Sequence, residues 1–279
     1  MRSLHLAALL LAGTASAPAF AQETEQQPYS GFYVGGSIGF TAQRSNAGER
    51  ILFDRDLNGT FGDTVTTFPT GSNAFSPGFC NGTANGNAPA AGCDTDRDDV
   101  EYFGRVGFDA QFGQVVAGVV GEVGHTNATS SVSAFSTTPA SYTMTREMDY
   151  NANLRARLGY VFGPSTLVYG TGGIAYAKLD SSFTTTNTAN TFTLTEQDND
   201  VWGYTAGAGL EQLIGRNISF GLEYIYSRFK DDNFNVRVGR GTAAATNPFL
   251  IGSGGGTDFR RSFDRFSLHS IRAVLNFRF

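Results

Sequence analysis

The chain has 279 residues, a size suited to a single domain, and it carries a formal net charge of −5. This negative balance gives no electrostatic support for binding a nucleic-acid backbone, so we exclude nucleic acid as a partner. Glycine occurs 35 times and phenylalanine 24 times, whereas cysteine occurs twice. Abundant glycine together with abundant aromatic residues is typical of closely packed strands with aromatic girdles.

The first residues carry the three parts of a secretory signal peptide. Arg2 supplies a positive charge, residues 6–13 form a short apolar run, and Ala19 and Ala21 match the A-x-A cleavage pattern. We therefore predict that residues 1–21 are removed and that residues 22–279 form one domain, beginning at Gln22. After the signal, no apolar run reaches the roughly 18 residues of a transmembrane helix.

Apolar and polar residues then alternate in eight segments, the pattern of half-buried strands. The predicted strands are residues 31–41, 100–112, 115–125, 148–162, 166–179, 201–213, 218–228 and 263–279. In the last segment, Ile271, Leu275 and Phe279 fall on one face, whereas Arg272 and Arg278 fall on the other. Such a strand can face lipid on one side and a polar interior on the other. In the fifth segment both registers mix small and apolar residues, so its facing stays open.

The connections between these segments alternate in length. They are short at residues 113–114, 163–165 and 215–217, but long and polar at residues 42–99, 126–147, 180–200 and 229–262. In transmembrane barrels, short turns face the periplasm and long loops face the outside. We therefore predict an all-β fold, an eight-stranded antiparallel up-and-down transmembrane β-barrel with long extracellular loops.

A set of charged residues is expected to face the barrel interior at roughly similar depth. The set comprises Arg105, Glu122, Arg155, Arg157, Glu211, Glu223 and Arg272. If residues 113–114 form a two-residue turn, Arg105 lies directly opposite Glu122. Eight strands enclose a space only wide enough for side chains, so charges there must be paired. The set is either a salt-bridge network that plugs the barrel or the lining of an ion-conducting pore.

Both cysteines lie in the first long loop. In an exported chain Cys80 and Cys93 are free to oxidise, and a bridge around about 14 residues contributes roughly 3 kcal/mol by the chain-entropy account. Metal ligation is the alternative, but His125 and His269 belong to other regions of the chain. We favour a structural disulfide.

The same loop contains half of a calcium-binding motif. Asp54, Asp56 and Asn58 precede Gly59 in the pattern D-x-D-x-N-G, which places oxygen ligands at alternate positions. Val65 stands where the bidentate glutamate belongs, so an Asx-rich turn is the alternative interpretation. We hypothesise that a disulfide and a calcium ion together make the first loop a folded extracellular cap.

Motifs for catalysis are weak. Residues 170–175 match G-x-G-x-x-A but are not followed by a helical pattern, so they indicate a strand of small residues. His125 or His269, with Asp149 or Asp264, could form a surface hydrolase site only with a nucleophile that the sequence does not identify. We therefore expect that the protein is not an enzyme and needs no cofactor other than the calcium considered above.

The segments GFYVGGSIGF, VVGEVG, LRARLGYVFG, LVYGTGGIAYA, LEYIYSRF and LNFRF resemble the OmpA-like, porin-family outer-membrane β-barrels. The resemblance implies the outer membrane of a Gram-negative bacterium, with lipid, lipopolysaccharide and the outer-membrane assembly machinery as partners. It also allows an extracellular ligand, and it implies an assembly signal at Phe279. Two roles remain open: a structural and surface-interaction protein, or a small diffusion channel for ions or solutes.

Overall fold

The computed structural model describes residues 27–43, 48–96, 99–195, 197–231, 233–252 and 254–279. The predicted signal peptide and its cleavage site lie outside these ranges. The strands are β1 Gly31–Gln43, β2 Ile51–Asp54, β3 Gly78–Asn81, β4 Thr83–Ala84, β5 Cys93–Asp94, β6 Asp99–Phe112, β7 Val115–Thr126, β8 Thr129–Ser136, β9 Ala140–Phe162, β10 Thr166–Thr185, β11 Thr191–Thr195, β12 Asp198–Leu213, β13 Ile218–Lys230, β14 Asn235–Gly239, β15 Thr257–Arg261 and β16 Arg265–Arg278. Within the described ranges, no helix is long and apolar enough to cross a membrane.

Eight of these strands close into an antiparallel barrel. Their order around the wall is β1, β6, β7, β9, β10, β12, β13 and β16, and β16 pairs again with β1. These are the eight strands that the alternating pattern predicts, and each pairs with the next along the chain. Glycines with positive φ, Gly113, Gly163 and Gly215, stand in the three short turns, where a left-handed backbone is needed. The predicted fold class is confirmed.

The outward face of the barrel is apolar and exposed. Leu154 and Ile271 are 56% and 65% exposed at its middle, an arrangement suited to lipid. In β10, Leu167 and Tyr169 are buried whereas Ile174 is exposed, which answers the question of facing that the sequence leaves open. Exposed tyrosines and a tryptophan ring the long-loop end: Tyr102, Tyr150, Trp202, Tyr204 and Tyr224. Exposed phenylalanines ring the short-turn end: Phe32, Phe112, Phe162, Phe277 and Phe279.

The long connections contain regular structure that the sequence pattern did not reveal. β9 begins at Ala140 rather than at residue 148, and β10 continues to Thr185 rather than ending at residue 179. Above the barrel the extensions of β9 and β10 pair with each other, β8 pairs with the extension of β9, and β3 joins β8, so one wall of the barrel continues outward as a sheet. A second, separate sheet has the order β11, β14, β15, β2. The long connections are therefore not only polar loops, because they also form strands that the alternating pattern did not predict.

The two outer sheets share one hydrophobic core, and we call them together the cap. Its centre is aromatic: the ring of Phe259 lies 5.0 Å from Phe53, 5.3 Å from Phe249 and 5.7 Å from Tyr142. All four of these side chains are buried. Each long connection supplies only a few apolar residues, so none could bury a core alone. The cap is thus made by all four connections, and not by the first loop alone as hypothesised.

Candidate functional site

The inner face of the barrel carries an upper tier of charges near the middle of the wall. Arg105 lies directly opposite Glu122 in the register, with 3.4 Å between Nε and Oε1. Glu122 also forms an ion pair with Arg155 at 2.8 Å and accepts a hydrogen bond from Arg272 at 3.0 Å. Glu223 bridges Arg105 at 3.0 Å and Arg155 at 3.4 Å from across the barrel. Each acid is thus shared by at least two guanidinium groups, as burial of charge requires.

A lower tier lies nearer the short turns. Arg157 contacts Asp109 at 3.3 Å and Glu211 at 2.9 Å. Arg278 contacts the same two acids, at 3.0 Å and 2.6 Å. The four side chains form a closed ring of alternating sign, and all are almost fully buried. The predicted set therefore occupies two depths rather than one, because Arg157 and Glu211 belong to this lower ring.

Three members of these tiers are missing from the predicted set. They are Asp109 and Arg278 in the lower tier and Glu101, which pairs with Arg272 in the upper tier. Strand alternation already places all three on the inner face, so the period-2 pattern of the sequence could have identified them as inward-facing charges. Their partners lie on strands distant in sequence, and the register between those strands is what identifies the pairs. With them included, the two tiers hold five arginines and five acids among the described residues.

Tyrosine rings fill the space around the lower tier. Tyr29, which precedes β1, is fully buried and donates its hydroxyl hydrogen bond to the carbonyl of Ser165 at 2.6 Å. The guanidinium carbon of Arg278 lies 4.9 Å from the ring of Tyr29 and 4.8 Å from that of Tyr33. Gly107 leaves room for Tyr33, since a Cβ there would lie 2.3 Å from the phenol carbon Cζ. Side chains therefore occupy the lumen at both levels of the described barrel.

Two further buried arginines lie where the cap meets the barrel. Arg261 binds Glu49 with two hydrogen bonds of 2.8 Å and donates to the carbonyl of Ser130 at 2.6 Å. Arg146 contacts Asp231 at 3.4 Å, and burial together with the neighbouring Arg261 lowers the pKa of Arg146 to about 10. These contacts join the first, second and fourth long connections, so they tie the base of the cap together.

Cys80 and Cys93 form a disulfide, which closes the short hairpin of β4 and β5. This hairpin packs on β8, where the backbone N–H of Ala84 donates to Ser133 Oγ at 3.0 Å. The Ser133 hydroxyl also donates to the carbonyl of Gly82 at 2.8 Å. The bridge therefore holds a polar hairpin against the outer surface of the cap rather than against its hydrophobic core.

The D-x-D-x-N-G segment forms a tight turn next to β2. Asp54, Asp56 and Asp63 each offer a carboxylate oxygen, and these oxygens lie within 4.8 Å of one another. Asp54 accepts the backbone N–H groups of Asn58 at 3.1 Å and Gly59 at 2.7 Å. The Asn58 side chain contacts Asp56 and the backbone of Thr60. These hydrogen bonds are those of an Asx-rich turn, and calcium at Asp54, Asp56 and Asn58 stays a prediction.

The two histidines among the described residues, His125 and His269, lie at the outer rim of the barrel. His125 Nδ1 is 3.4 Å from an Asp149 carboxylate oxygen, and His269 Nδ1 is 2.6 Å from the Tyr224 hydroxyl. The structure thus brings His125 to Asp149 but gives His269 a tyrosine partner. Both contacts belong to the exposed aromatic ring rather than to a cleft.

Comparison with known proteins gives a consistent result. A family model described as "Outer membrane protein beta-barrel domain" matches residues 7–241. The 31 kDa outer-membrane immunogenic protein of Brucella melitensis biotype 1 is 30% identical over 133 residues, which cover 48% of this chain and 47% of that protein. The 22 kDa outer membrane protein of Rhizobium leguminosarum bv. viciae is 29% identical over 147 residues, 52% of this chain and 61% of that protein. The chain thus spans about half the length of the Brucella relative.

Among solved structures, the outer membrane protein OprG from Pseudomonas aeruginosa aligns with 90% of this chain and 98% of its own. The sequence identity is 11% and the TM-score is 0.46. A score below one half is too low to carry an argument, so the fold rests on the strand pairing described above.

Proposed function

Because this chain belongs to the family of outer membrane protein β-barrel domains, and so lies in the Gram-negative outer membrane, we propose that it is a surface-interaction protein whose sealed barrel anchors the cap. The cap is then the part of the molecule that meets the environment. In this proposal the barrel serves for anchoring rather than transport.

The observation that carries the proposal is the pairing of the ten charged side chains inside the barrel. Positive and negative groups are equal in number within the two tiers, and all are nearly excluded from solvent. An eight-stranded barrel has little free lumen to begin with. Opening a path would require separating buried ion pairs, each of which is costly to break. A filled and neutral interior favours an anchor over a channel.

The cap supplies the surface for contact. At its outer tip the turns of all four long connections enclose a cavity of about 250 Å³. Its lining is uncharged, with Phe75, Tyr142 and Phe249 at the base and the side chains of Asn187 and Asn247 beside them. This chemistry suits a neutral extracellular ligand. We also propose that the protein is not an enzyme, since His125, which pairs with Asp149, and His269, which pairs with Tyr224, lie on the exposed rim of the barrel rather than in a cleft.

The test is the conductance of purified protein in planar lipid bilayers. We expect no stepwise current above that of the bare bilayer. Steady single-channel steps would establish the diffusion channel instead. The double variant Arg157→Ala with Glu211→Ala removes one ion pair from the lower tier. Asp109 and Arg278 remain to pair with each other. If the parent conducts through its lumen, this variant should change the step size, whereas current from leaky insertion should not change.

A further inference from the structure

The cavity at the outer tip of the cap has a floor of aromatic rings that is already in place. The ring of Phe75 lies 5.4 Å from that of Tyr142 and 5.9 Å from that of Phe249, and the rings of Tyr142 and Phe249 lie 5.7 Å apart. None of the three side chains is more than 4% exposed. Because these rings hold one another in position, a ligand meets a preformed apolar surface and does not have to reorganise the core.

A network of asparagines fixes the wall beside this floor. The side-chain amide of Asn187 donates to the Tyr142 hydroxyl and to Asn190 Oδ1, both at 3.0 Å. Asn247 donates to the same Asn190 oxygen at 3.1 Å, and Asn190 donates to the carbonyl of Gly239 at 3.0 Å. These hydrogen bonds tie the third long connection to the fourth, so the shape of the cavity is set before a ligand arrives.

The polar groups left for a ligand are threonine hydroxyls at the mouth. Thr137, Thr138 and Thr188 line the cavity and are exposed. Within the described part of the chain, the side-chain hydroxyls of these three residues make no hydrogen bond. A hydroxyl can both donate and accept, so the best-matched partner is a molecule that carries several hydroxyls of its own.

The lining also excludes charged ligands. The described residues around the cavity include no acidic or basic side chain. Burial raises the pKa of the Tyr142 hydroxyl, so this group is uncharged as well. Burying a charge without a partner is costly. The cavity therefore disfavours phosphate, carboxylate and ammonium groups.

The size of the cavity selects a single small ring. Its volume of about 250 Å³ lies below the roughly 300–1,000 Å³ of sites for drug-sized ligands. A pyranose sugar carries C–H groups on its faces and hydroxyls around its edge. Its weakly positive C–H groups suit the negative face of an aromatic ring, and its hydroxyls suit those at the mouth. A purely apolar ring would leave the threonine hydroxyls without a role.

We propose that this cavity binds one neutral pyranose, the terminal sugar of an extracellular oligosaccharide. A C–H face of the sugar lies toward Phe75 and Phe249, and its hydroxyls exchange hydrogen bonds with Thr137, Thr138 and Thr188. Since the cavity holds one ring and opens at the tip of the cap, the rest of the oligosaccharide extends away from the protein. This assignment deepens the proposed surface-interaction role and rests on it.

The test is saturation-transfer NMR of the whole protein in detergent micelles, with the methyl glycosides of glucose, galactose, mannose and N-acetylglucosamine as probes. We expect at least one of the four to receive saturation from the protein. The methyl glycoside of glucuronic acid adds a carboxylate to the same kind of ring, and cyclohexanol is a ring with a single hydroxyl. Both should bind more weakly than the sugar, the first because its charge has no partner and the second because it makes too few hydrogen bonds.

Two variants locate the binding in the cavity. Ala189→Trp places a large side chain at the exposed wall and should abolish the signal, so it also serves as the reference for probe dissolved in the micelle. Thr137→Val with Thr188→Val removes two hydroxyls but keeps the shape of the mouth, and should weaken binding roughly 5- to 30-fold. The matched control, Thr60→Val with Thr95→Val, removes two exposed hydroxyls elsewhere and should change nothing. Folding of each variant is checked by its heat-dependent migration on SDS gels.

Three results would overturn the sugar assignment. They are binding of none of the four glycosides, equal binding by the double-valine variant and its control, and binding of the glucuronide or cyclohexanol as tightly as the best sugar. Each of these leaves the anchoring role in place, because conductance tests that role separately. Steady channel steps would instead overturn the anchoring role, even where a sugar binds to the cap.

Discussion

Among single residues, Glu122 has the most demanding position in the barrel. It pairs with three arginines, Arg105, Arg155 and Arg272, in a place closed to water. Glu122→Ala leaves these guanidinium groups with too few acids, and breaking a buried pair typically costs about 3–5 kcal/mol. We expect a loss of that size in the free energy of unfolding, measured by urea titration of protein in lipid vesicles.

Two controls accompany this variant. Asp258→Ala removes an acid from the exposed pair with Arg237, and surface pairs contribute at most about 1 kcal/mol. Combining Glu122→Ala with Arg105→Ala removes one charge of each sign and should recover part of the loss. A Glu122→Ala protein as resistant to urea as the parent would show that the upper tier does not hold the barrel together.

Phe279 acts, we predict, on assembly more than on final stability. Its side chain is 79% exposed, and its backbone N–H donates to the carbonyl of Phe32 at 2.9 Å. Deleting it removes one strand-end contact and the aromatic group that resembles the family's insertion signal. We expect refolding into detergent to persist while the amount in the outer membrane falls, with Phe279→Tyr as the control that keeps the ring. Unchanged cellular amounts of the deletion variant would refute the prediction.

At the scale of elements, the hairpin of β4 and β5 depends on its disulfide. It contacts the cap through hydroxyl and backbone hydrogen bonds, so it contributes little apolar burial of its own. A bridge of this span contributes about 3 kcal/mol by the chain-entropy account. We expect reductant to expose the hairpin to protease in membrane-embedded protein, while the strands of the cap core remain uncut.

The same digestion, repeated with a chelator, tests calcium at the turn of Asp54. Faster cutting near this turn with chelator alone would support an ion there. Faster cutting with reductant alone supports the disulfide and removes the calcium prediction. Equal rates in all four conditions would mean that neither feature restrains the first connection.

At the scale of the whole molecule, the cap and the barrel have separate sources of stability. The barrel is held by strand pairing and paired charges, whereas the cap is held by an aromatic core whose centre is the fully buried Phe259. Phe259→Ala should cost the cap about 3–5 kcal/mol through lost burial and the cavity left behind. We expect its four connections to become sensitive to protease while the barrel keeps its heat-dependent migration. Phe68→Ala, at a residue 62% exposed, is the control and should change neither.

Alternation alone was enough to predict the barrel. A strand that separates lipid from a polar interior must repeat every two residues, so the eight wall strands, and the facing of all but the fifth, could be recognised locally. The pairing of Arg105 with Glu122 followed from the short turn beside it, because a two-residue turn sets the register of the strands that it joins. The disulfide was equally accessible, because the exported chain holds two cysteines.

Two features could be identified only from the tertiary structure. They are the cap and the partner of each charged residue whose ion pair joins strands distant in sequence. Segments such as TFTLT in β11 and NVRVG in β14 alternate over only five residues, and each supplies two apolar side chains. Burial of these apolar side chains becomes favourable only when β2, β11, β14 and β15 pack against β8 and the extensions of β9 and β10. No local sequence pattern predicts that packing. Arg278 meets Asp109 and Glu211 for the same reason: they lie on β6 and β12, which do not neighbour β16 in the wall, so only the closed barrel brings the three side chains together. Local periodicity of the sequence therefore determined the strands of the barrel wall. Closure of the barrel determined the ion pairs of the two tiers, and burial shared by the four long connections determined the cap.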